Sequence, residues 1–225
     1  MSFKAKIAAG AATLALAGGG LGMVGTLSAS AATPSCGNNC TNWYTQKFHR
    51  QYILDDLHGA SSTGNPIILF QRSNSDPAQD FVTNDLGTVG SFYNHSRGLI
   101  SPGFDQAYHA DEAIEIQYEP SGRNSNFCVG TWPGQVAQSG FKVRLESCGQ
   151  TSTIWAVDQA DANGGYVPLI TGTDTNFSNP MVLNYPAGHP TDMPRPWLNV
   201  QPLSSYSDGT VYDNQLWRYS YGVVP

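Results

Sequence analysis

Residues 64–81 read GNPIILFQRSNSDPAQDF. An apolar run, Ile67–Gln71, is followed by a polar turn and then by a second run that begins with Phe81. Short runs rich in Ile and Phe between Gly and Pro breaks are typical of β-strands. Asp, Pro and Ser in the intervening segment favour a turn. The stretch therefore predicts two strands joined by a turn, and the rest of the chain follows the same plan.

Signals for helices are nearly absent, because few windows carry apolar residues at positions i, i+3, i+4 and i+7. The 24 Gly and 14 Pro of the chain instead interrupt it every few residues. Twelve short strands are predicted, at Gln51–Leu54, Ile67–Gln71, Phe81–Thr83, Val89–Tyr93, Ala113–Tyr118, Phe127–Val129, Lys142–Leu145, Ile154–Val157, Tyr166–Ile170, Met181–Asn184, Trp197–Val200 and Gln215–Tyr219. This number of short strands predicts a closed all-β domain.

The opening stretch has a counterpart in residues 179–197, NPMVLNYPAGHPTDMPRPW. Each contains Asn-Pro followed by three apolar residues, and the spacing from Asp76 to Phe81 equals that from Asp192 to Trp197. The matched spacings predict that the two stretches are copies of one repeat. Five aromatic residues are predicted to head strands and to pack in the core, namely Phe81, Phe127, Trp155, Trp197 and Trp217.

The N-terminus has the pattern of a secretory signal peptide. Lys4 and Lys6 precede an apolar segment, and residues 28–32 read SASAA, a small-residue sequence suited to signal peptidase. We therefore expect residues 1–32 to be removed and residues 33–225 to form a single exported domain. No later stretch approaches the length of a membrane span. A membrane anchor is the alternative reading, disfavoured by the Gly-rich segment.

Charge argues against nucleic acid as a partner. The expected mature chain has nine Lys and Arg residues against seventeen Asp and Glu, a net charge of −8 with His neutral. Phosphate backbones attract basic patches rather than acidic surfaces.

Four cysteines lie in the expected mature chain, at Cys36, Cys40, Cys128 and Cys148. Export favours disulfides, and four cysteines allow three connectivities. We favour the local pairs 36 with 40 and 128 with 148. A zinc site is the rival interpretation, disfavoured because no His lies at ligand spacing beside either pair.

Gln215-Leu216-Trp217 matches the Gln-x-Trp signature of ricin-type β-trefoil lectins. Gln79-Asp80-Phe81 and Thr153-Ile154-Trp155 resemble degraded copies of it. Cys128 and Cys148 resemble the disulfide within a repeat of that family. The resemblance implies a β-trefoil-like closed domain with twelve strands in three similar units. The mature chain also resembles a group of secreted, poorly characterised actinomycete proteins.

The lectin resemblance implies a sugar site built from an Asp on a strand, a stacking aromatic ring and an Asn before the Gln-x-Trp. In the first unit, Asp55 and Phe70 match the first two positions. Ala78 stands where the Asn is expected, and Asn74 is a candidate replacement. The predicted carbohydrate-binding set is therefore Asp55, Phe70, Asn74 and Gln79.

The other two units lack parts of this pattern. In the second unit Gly130 replaces the Asp and Glu146 replaces the ring, so no sugar site is expected there. In the third, Leu198-Asn199-Val200 precedes Asp208-Gly209-Thr210, but the segment from there to Gln215 is too short for a full repeat.

No catalytic residue, metal site or cofactor is predicted. The five histidines, at positions 49, 58, 95, 109 and 189, lie in no nucleophile or metal motif. The segment from His109 to Glu112 is interpreted as a solvated loop, and Asp174 and Asn176 do not form a calcium loop. Asp55 and Asp56 are adjacent, and neighbours on a strand face opposite sides, so they do not by themselves predict a two-carboxylate site.

The leading hypothesis is a secreted, non-catalytic, lectin-like protein that binds carbohydrate or a cell-envelope glycan. An exported adaptor that binds another secreted protein is the alternative, because two units lack sugar-site residues. A hydrolase of cell walls or polysaccharides is the third possibility. No nucleic acid and, after cleavage of the signal peptide, no membrane is expected as a partner.

Overall fold

The computed structural model describes residues 39–73, 75–96 and 98–221. The expected signal peptide, Cys36 and Asn74 lie outside the described residues.

The described residues contain twelve strands and two short α-helices. The strands are β1 (Thr41–Thr45), β2 (Tyr52–Asp56), β3 (Ile67–Gln71), β4 (Phe81–Thr88), β5 (Glu112–Tyr118), β6 (Phe127–Gly130), β7 (Arg144–Ser147), β8 (Trp155–Val157), β9 (Leu169–Thr171), β10 (Met181–Asn184), β11 (Asn199–Pro202) and β12 (Trp217–Tyr221). The helices are α1 (Val89–His95) and α2 (Pro102–Tyr108). Turns of 3₁₀ helix occur at His49–Gln51, Pro77–Gln79, Pro120–Gly122 and Thr151–Thr153.

Six of the strands form a closed barrel. β5 lies between β4 and β8, β8 pairs with β9, and β12 pairs with β1, all antiparallel. Val167, just before β9, exchanges backbone hydrogen bonds with Trp217 on β12. The Thr41 hydroxyl on β1 donates to the Phe81 carbonyl on β4 at 3.2 Å and closes the circle.

The other six strands form three antiparallel hairpins, β2–β3, β6–β7 and β10–β11. A ring of backbone hydrogen bonds joins them. The N–H of Ile67 donates to Val143 at 3.1 Å, that of Val143 to Leu198 at 2.9 Å, and that of Leu198 to Ile67 at 2.8 Å. Each hairpin thus donates once and accepts once, which places a pseudo-threefold axis through the ring. The predicted closed all-β fold with twelve strands in three units is confirmed.

The signature aromatics anchor each unit to the core. Phe81, Trp155 and Trp217 begin the fourth strand of their units and are fully buried, as predicted. The indole of Trp155 donates to the Val129 carbonyl at 2.9 Å, and that of Trp217 to the Leu183 carbonyl at 2.8 Å. Both carbonyls lie on the second strand of the unit, so each indole ties the barrel to its hairpin.

One of the other two predicted core aromatics departs from the prediction. Phe127 begins β6, as predicted, and packs against the core while it is partly buried. Trp197 lies just before β11 and is 36% exposed, so its assignment to the core is wrong. The backbone of Trp197 forms a β-bridge with Ile68 and so joins two hairpins. The side chain remains near the surface.

The predicted one-to-one repeat between residues 64–81 and 179–197 is also wrong. The first stretch contains β3 and leads into β4, the third and fourth strands of its unit. The second contains β10 and leads into β11, the second and third strands of its unit. Since every strand is short and ends in a turn, similar spacings recur at positions that are not equivalent by symmetry.

The segment Val89–Tyr93 is helical, not the predicted strand. The Thr88 side chain accepts a hydrogen bond from the Ser91 N–H at 3.1 Å and so begins α1 with an N-cap. Ser101 caps α2 in the same way through the Phe104 N–H at 3.0 Å. Both helices pack by their apolar residues against the outside of the barrel. The strand β1 was not predicted, because Thr and Asn surround its Trp-Tyr pair.

The predicted pair of Cys128 and Cys148 forms a disulfide between β6 and the end of β7. This pairing excludes zinc ligation by the same two sulfurs. Cys40 is also disulfide-bonded. No helix in the described ranges has the length and apolar character that crossing a bilayer would require.

Candidate functional site

The hairpin β2–β3 brings two predicted site residues together. Asp55 lies opposite Ile68 in the antiparallel register, and Phe70 follows two residues later on the same side of β3. A cavity of about 240 Å³ lies beside them. It is lined by Asp55, Asp56, Leu57, His58, Gly59, Phe70, Asp76, Ala78 and Arg195.

Gln79 fixes the carboxylate of Asp55. Its side-chain amide N–H groups donate to Asp55 Oδ2 at 3.1 Å and to the Gln71 carbonyl at 2.9 Å. Its amide oxygen accepts from the Ser73 N–H at 2.7 Å. Gln79 is 4% exposed, so its geometry is that of a residue that positions Asp55. Direct contact of Gln79 with a sugar stays a prediction.

The third unit uses its signature glutamine in the same way. The Gln215 amide donates to the Pro202 carbonyl at 2.9 Å and accepts from the Ser204 N–H at 2.9 Å. The Gln-x-Trp pattern therefore marks a framework that holds the end of a third strand. In the first unit that framework is extended to the carboxylate at the cavity.

Burial raises the pKa of Asp55 to about 7. The hydrogen bond from Gln79 opposes this rise, the charges of Asp76 and Asp56 add to it, and Arg195 reduces it. Burial also raises the pKa of Asp56, and hydrogen bonds from the Asn65 side chain and from backbone N–H groups oppose the rise. Asp55 and Asp56 both line the cavity although they are neighbours, because β2 ends there and the chain turns around it.

Arg195 is a site residue that the sequence did not indicate. It comes from the loop between β10 and β11 in the third unit, and its guanidinium lies over the Phe70 ring, 4.0 Å from the centroid. One face of the predicted stacking ring is thereby covered. The cavity presents a cationic donor beside the carboxylate of Asp55, so hydrogen bonding is the main chemistry that it offers.

The remaining predicted positions differ in outcome. Asn74 lies outside the described residues. Ala78 lines the cavity at the place where the lectin pattern has Asn, and it offers no polar side chain there.

The second unit has no room for an equivalent site. Gly130 lies opposite Arg144, which is the register of Asp55 and Ile68 in the first unit. A Cβ at Gly130 would lie 2.6 Å from the Ser152 carbonyl oxygen. Glu146 is buried and forms an ion pair with Arg144, whose guanidinium stacks on the ring of Trp132 at 3.5 Å. The side chains of Glu146, Arg144 and Trp132 thus contact one another at this position of the second unit.

The third unit has an amide side chain at the position that Asp55 holds in the first unit. Asn199 and Val200 belong to β11, the third strand, and Asn184 on β10 holds the position of Asp55. The Asn214 amide donates to Asn184 Oδ1 at 2.9 Å, and the Asn184 amide donates to Asn199 Oδ1 at 2.8 Å. These side-chain amides form hydrogen bonds with one another. Since the second unit has no room for an equivalent site either, the candidate site is the one in the first unit.

Other candidate ligand groups form local contacts. His109 Nδ1 lies 2.9 Å from Asp105 Oδ1, at the exposed end of α2. Asp174 Oδ1 accepts from the Asn176 N–H at 3.3 Å within its own loop. Residues 109–111 form a turn, as predicted, but Glu112 begins β5 and so lies outside it.

No protein-family model matches the chain, and no curated protein matches it. Solved structures do. The designed 3-fold symmetric protein ThreeFoil has a TM-score of 0.52 at 18% identity, over 80% of this chain and 97% of its own. The chain is a β-trefoil. The exo-β-1,3-galactanase 1,3Gal43A of Clostridium thermocellum matches with a TM-score of 0.52 at 12% identity, over 81% of this chain and 30% of the enzyme.

A mosquitocidal holotoxin matches with a TM-score of 0.52 at 12% identity, over 82% of this chain and 17% of the toxin. At these identities the likeness concerns the fold alone. The trefoil expected from the Gln-x-Trp pattern is thereby confirmed, and the grouping with actinomycete proteins stays a prediction.

Proposed function

We propose that the protein is an exported, non-catalytic carbohydrate-binding domain whose site is the cavity at Asp55. One observation carries the proposal: Gln79 holds the Asp55 carboxylate at the edge of a cavity that also presents the Arg195 guanidinium. The trefoil fold supports it, since a module of this fold lies within an exo-β-1,3-galactanase. Export rests on the expected signal peptide.

The cavity combines an acceptor and a donor. A carboxylate accepts hydrogen bonds from adjacent sugar hydroxyls, and a guanidinium donates to hydroxyl or ring oxygens. At about 240 Å³ the cavity is smaller than the roughly 300–1,000 Å³ typical of sites for drug-sized ligands. We therefore expect it to hold one sugar ring rather than a chain.

A glycan array, followed by titration calorimetry of each hit, tests the proposal. Asp55→Ala should abolish binding, and Arg195→Ala should weaken it. Asp208→Ala is a matched control, because Asp208 is an exposed carboxylate in the loop between β11 and β12. Absence of binding to every glycan, or equal affinities for Asp55→Ala and the wild-type protein, would contradict the proposal.

A polysaccharide hydrolase is a second candidate. Asp55 has a pKa of about 7 and lines the same cavity as Asp76, so an acid and a base could act on one glycosidic bond. Release of reducing sugar from envelope material by the pure protein, lost in Asp55→Asn and in Asp76→Asn, would favour this activity over binding alone. Glycan binding without any release would exclude it for the glycans tested.

A further inference from the structure

A second cavity, of about 390 Å³, lies at the other end of the β2–β3 hairpin. It is lined by Gln51, Tyr52, Gln71 and Arg72 and shares no lining residue with the cavity at Asp55. The Arg72 N–H donates to the Gln51 carbonyl at 3.0 Å, which holds the two walls together. The lining is therefore polar and is fixed by the base of the hairpin.

Arg72 has an uncompensated positive charge in this cavity. Its Nε and Nη2 atoms are buried and have no hydrogen-bond partner. Throughout the part of the chain that the structure describes, no carboxylate forms an ion pair with it. Burial lowers the pKa of Arg72, and the charge of Arg50 lowers it further. Two buried guanidinium nitrogens without hydrogen-bond partners are costly, and such a group calls for a compensating anion.

Arg50, next to Gln51 in the sequence, carries a second guanidinium whose charge acts on Arg72. Its Nε donates to the Tyr44 hydroxyl at 3.3 Å, and its guanidinium lies 5.9 Å from the centroid of the Tyr44 ring. Tyr44 is buried and thus holds Arg50 in place. The charge of Arg50 disfavours the charge of Arg72, in a chain with 17 acidic and 11 basic residues. Repulsion of this kind is relieved by a bound anion.

We propose that this cavity binds an oxyanion: a carboxylate, sulfate or phosphate group. Arg72 supplies the charge within the cavity, the side-chain amides of Gln51 and Gln71 can donate further N–H groups, and Arg50 adds positive potential from outside the lining. Guanidinium groups suit oxyanions because their planar N–H donors match two oxygens at once. The proposal is independent of sugar binding at Asp55, since the two cavities share no lining residue.

Thermal unfolding in sulfate, phosphate or acetate, with chloride at equal ionic strength as the reference, tests the proposal. One or more of the three anions should raise the Tm of the wild-type protein with saturation at low concentration, and the most effective one identifies the group. Arg72→Gln should weaken the response at least about tenfold, as expected for loss of a charge-assisted hydrogen bond. Arg50→Gln should weaken it less.

Arg123→Gln is the matched control, because Arg123 is exposed in the loop before β6. It should respond as the wild-type protein does. Arg72→Gln should also unfold at a higher temperature than the wild-type protein in chloride alone, because it lacks the buried charge. Equal anion responses in Arg72→Gln and the wild-type protein, or responses no larger than that to chloride, would overturn the proposal.

Discussion

The carboxyl group of Asp55 makes stability depend on pH in a predictable way. Asp55 is 4% exposed, and burial raises its pKa from 3.8 to about 7. Between these two values the folded chain keeps a proton that the unfolded chain has released. The contribution of Asp55 to the free energy of unfolding is therefore greatest at low pH and falls as the pH rises from about 3.8 to about 7. Asp55→Asn removes the titrating proton and keeps an oxygen that can accept from Gln79.

The size of the effect follows from the pKa difference. At about 1.36 kcal/mol per pKa unit, the rise corresponds to at most ~4 kcal/mol. Below about pH 3, Asp55 is neutral in both states, and Asp55→Asn should be close to the wild-type protein in stability. Near pH 8 the variant should be more stable, by up to ~4 kcal/mol, because the wild-type protein then carries a buried charge.

Urea unfolding followed by tryptophan fluorescence, at several pH values across this range, measures the difference. Asp208→Asn is the control, because Asp208 is fully exposed and hydrogen bonds from Thr210 lower its pKa. A stability difference between Asp55→Asn and the wild-type protein that stays constant from pH 4 to 8 would refute the reasoning. An Asp208→Asn profile that matches that of Asp55→Asn would refute it as well.

Three further predictions concern the framework and can be checked by chemical denaturation. Replacing Cys128 and Cys148 by Ala should lower the free energy of unfolding by about 3 kcal/mol, because the disulfide closes a loop in the unfolded chain and reduces its entropy. A loss below about 1 kcal/mol would contradict this explanation. Gly130→Ala should cost ~1–3 kcal/mol because its Cβ would meet a backbone carbonyl; an unchanged midpoint would be the contrary result. Trp155→Phe should lower the free energy of unfolding by ~1–3 kcal/mol, because the indole hydrogen bond to Val129 is lost. Phe81→Leu removes no hydrogen bond and therefore measures the contribution of packing alone.

The fold could be predicted where a short pattern specifies a local framework. Gln215-Leu216-Trp217 joins a buried indole to a glutamine that holds the preceding strand, and both roles are readable from the three residues. The helix at Val89–His95 could not be read in this way. Its apolar residues suit a strand equally well, and the Thr88 cap and the packing against the barrel decide the outcome.

The candidate site was predictable only in its first unit. Asp55 and Phe70 lie on one hairpin, so sequence spacing places them together. Arg195 comes from the third unit, and only closure of the trefoil brings it over the Phe70 ring. The roles of Gly130 and Asn184 depend in the same way on register, which short spacings do not define when all strands are similar in length.

The ring of hydrogen bonds among Ile67, Val143 and Leu198 has a consequence for the order of folding. It joins the first unit directly to the third, so it cannot close until the ribosome has made nearly the whole chain. Contacts this distant in sequence slow folding. A nascent or truncated chain that ends before Leu198 lacks both a donor and an acceptor of the ring. Such a chain exposes unpaired strand backbone, which makes premature termination a direct route to aggregation.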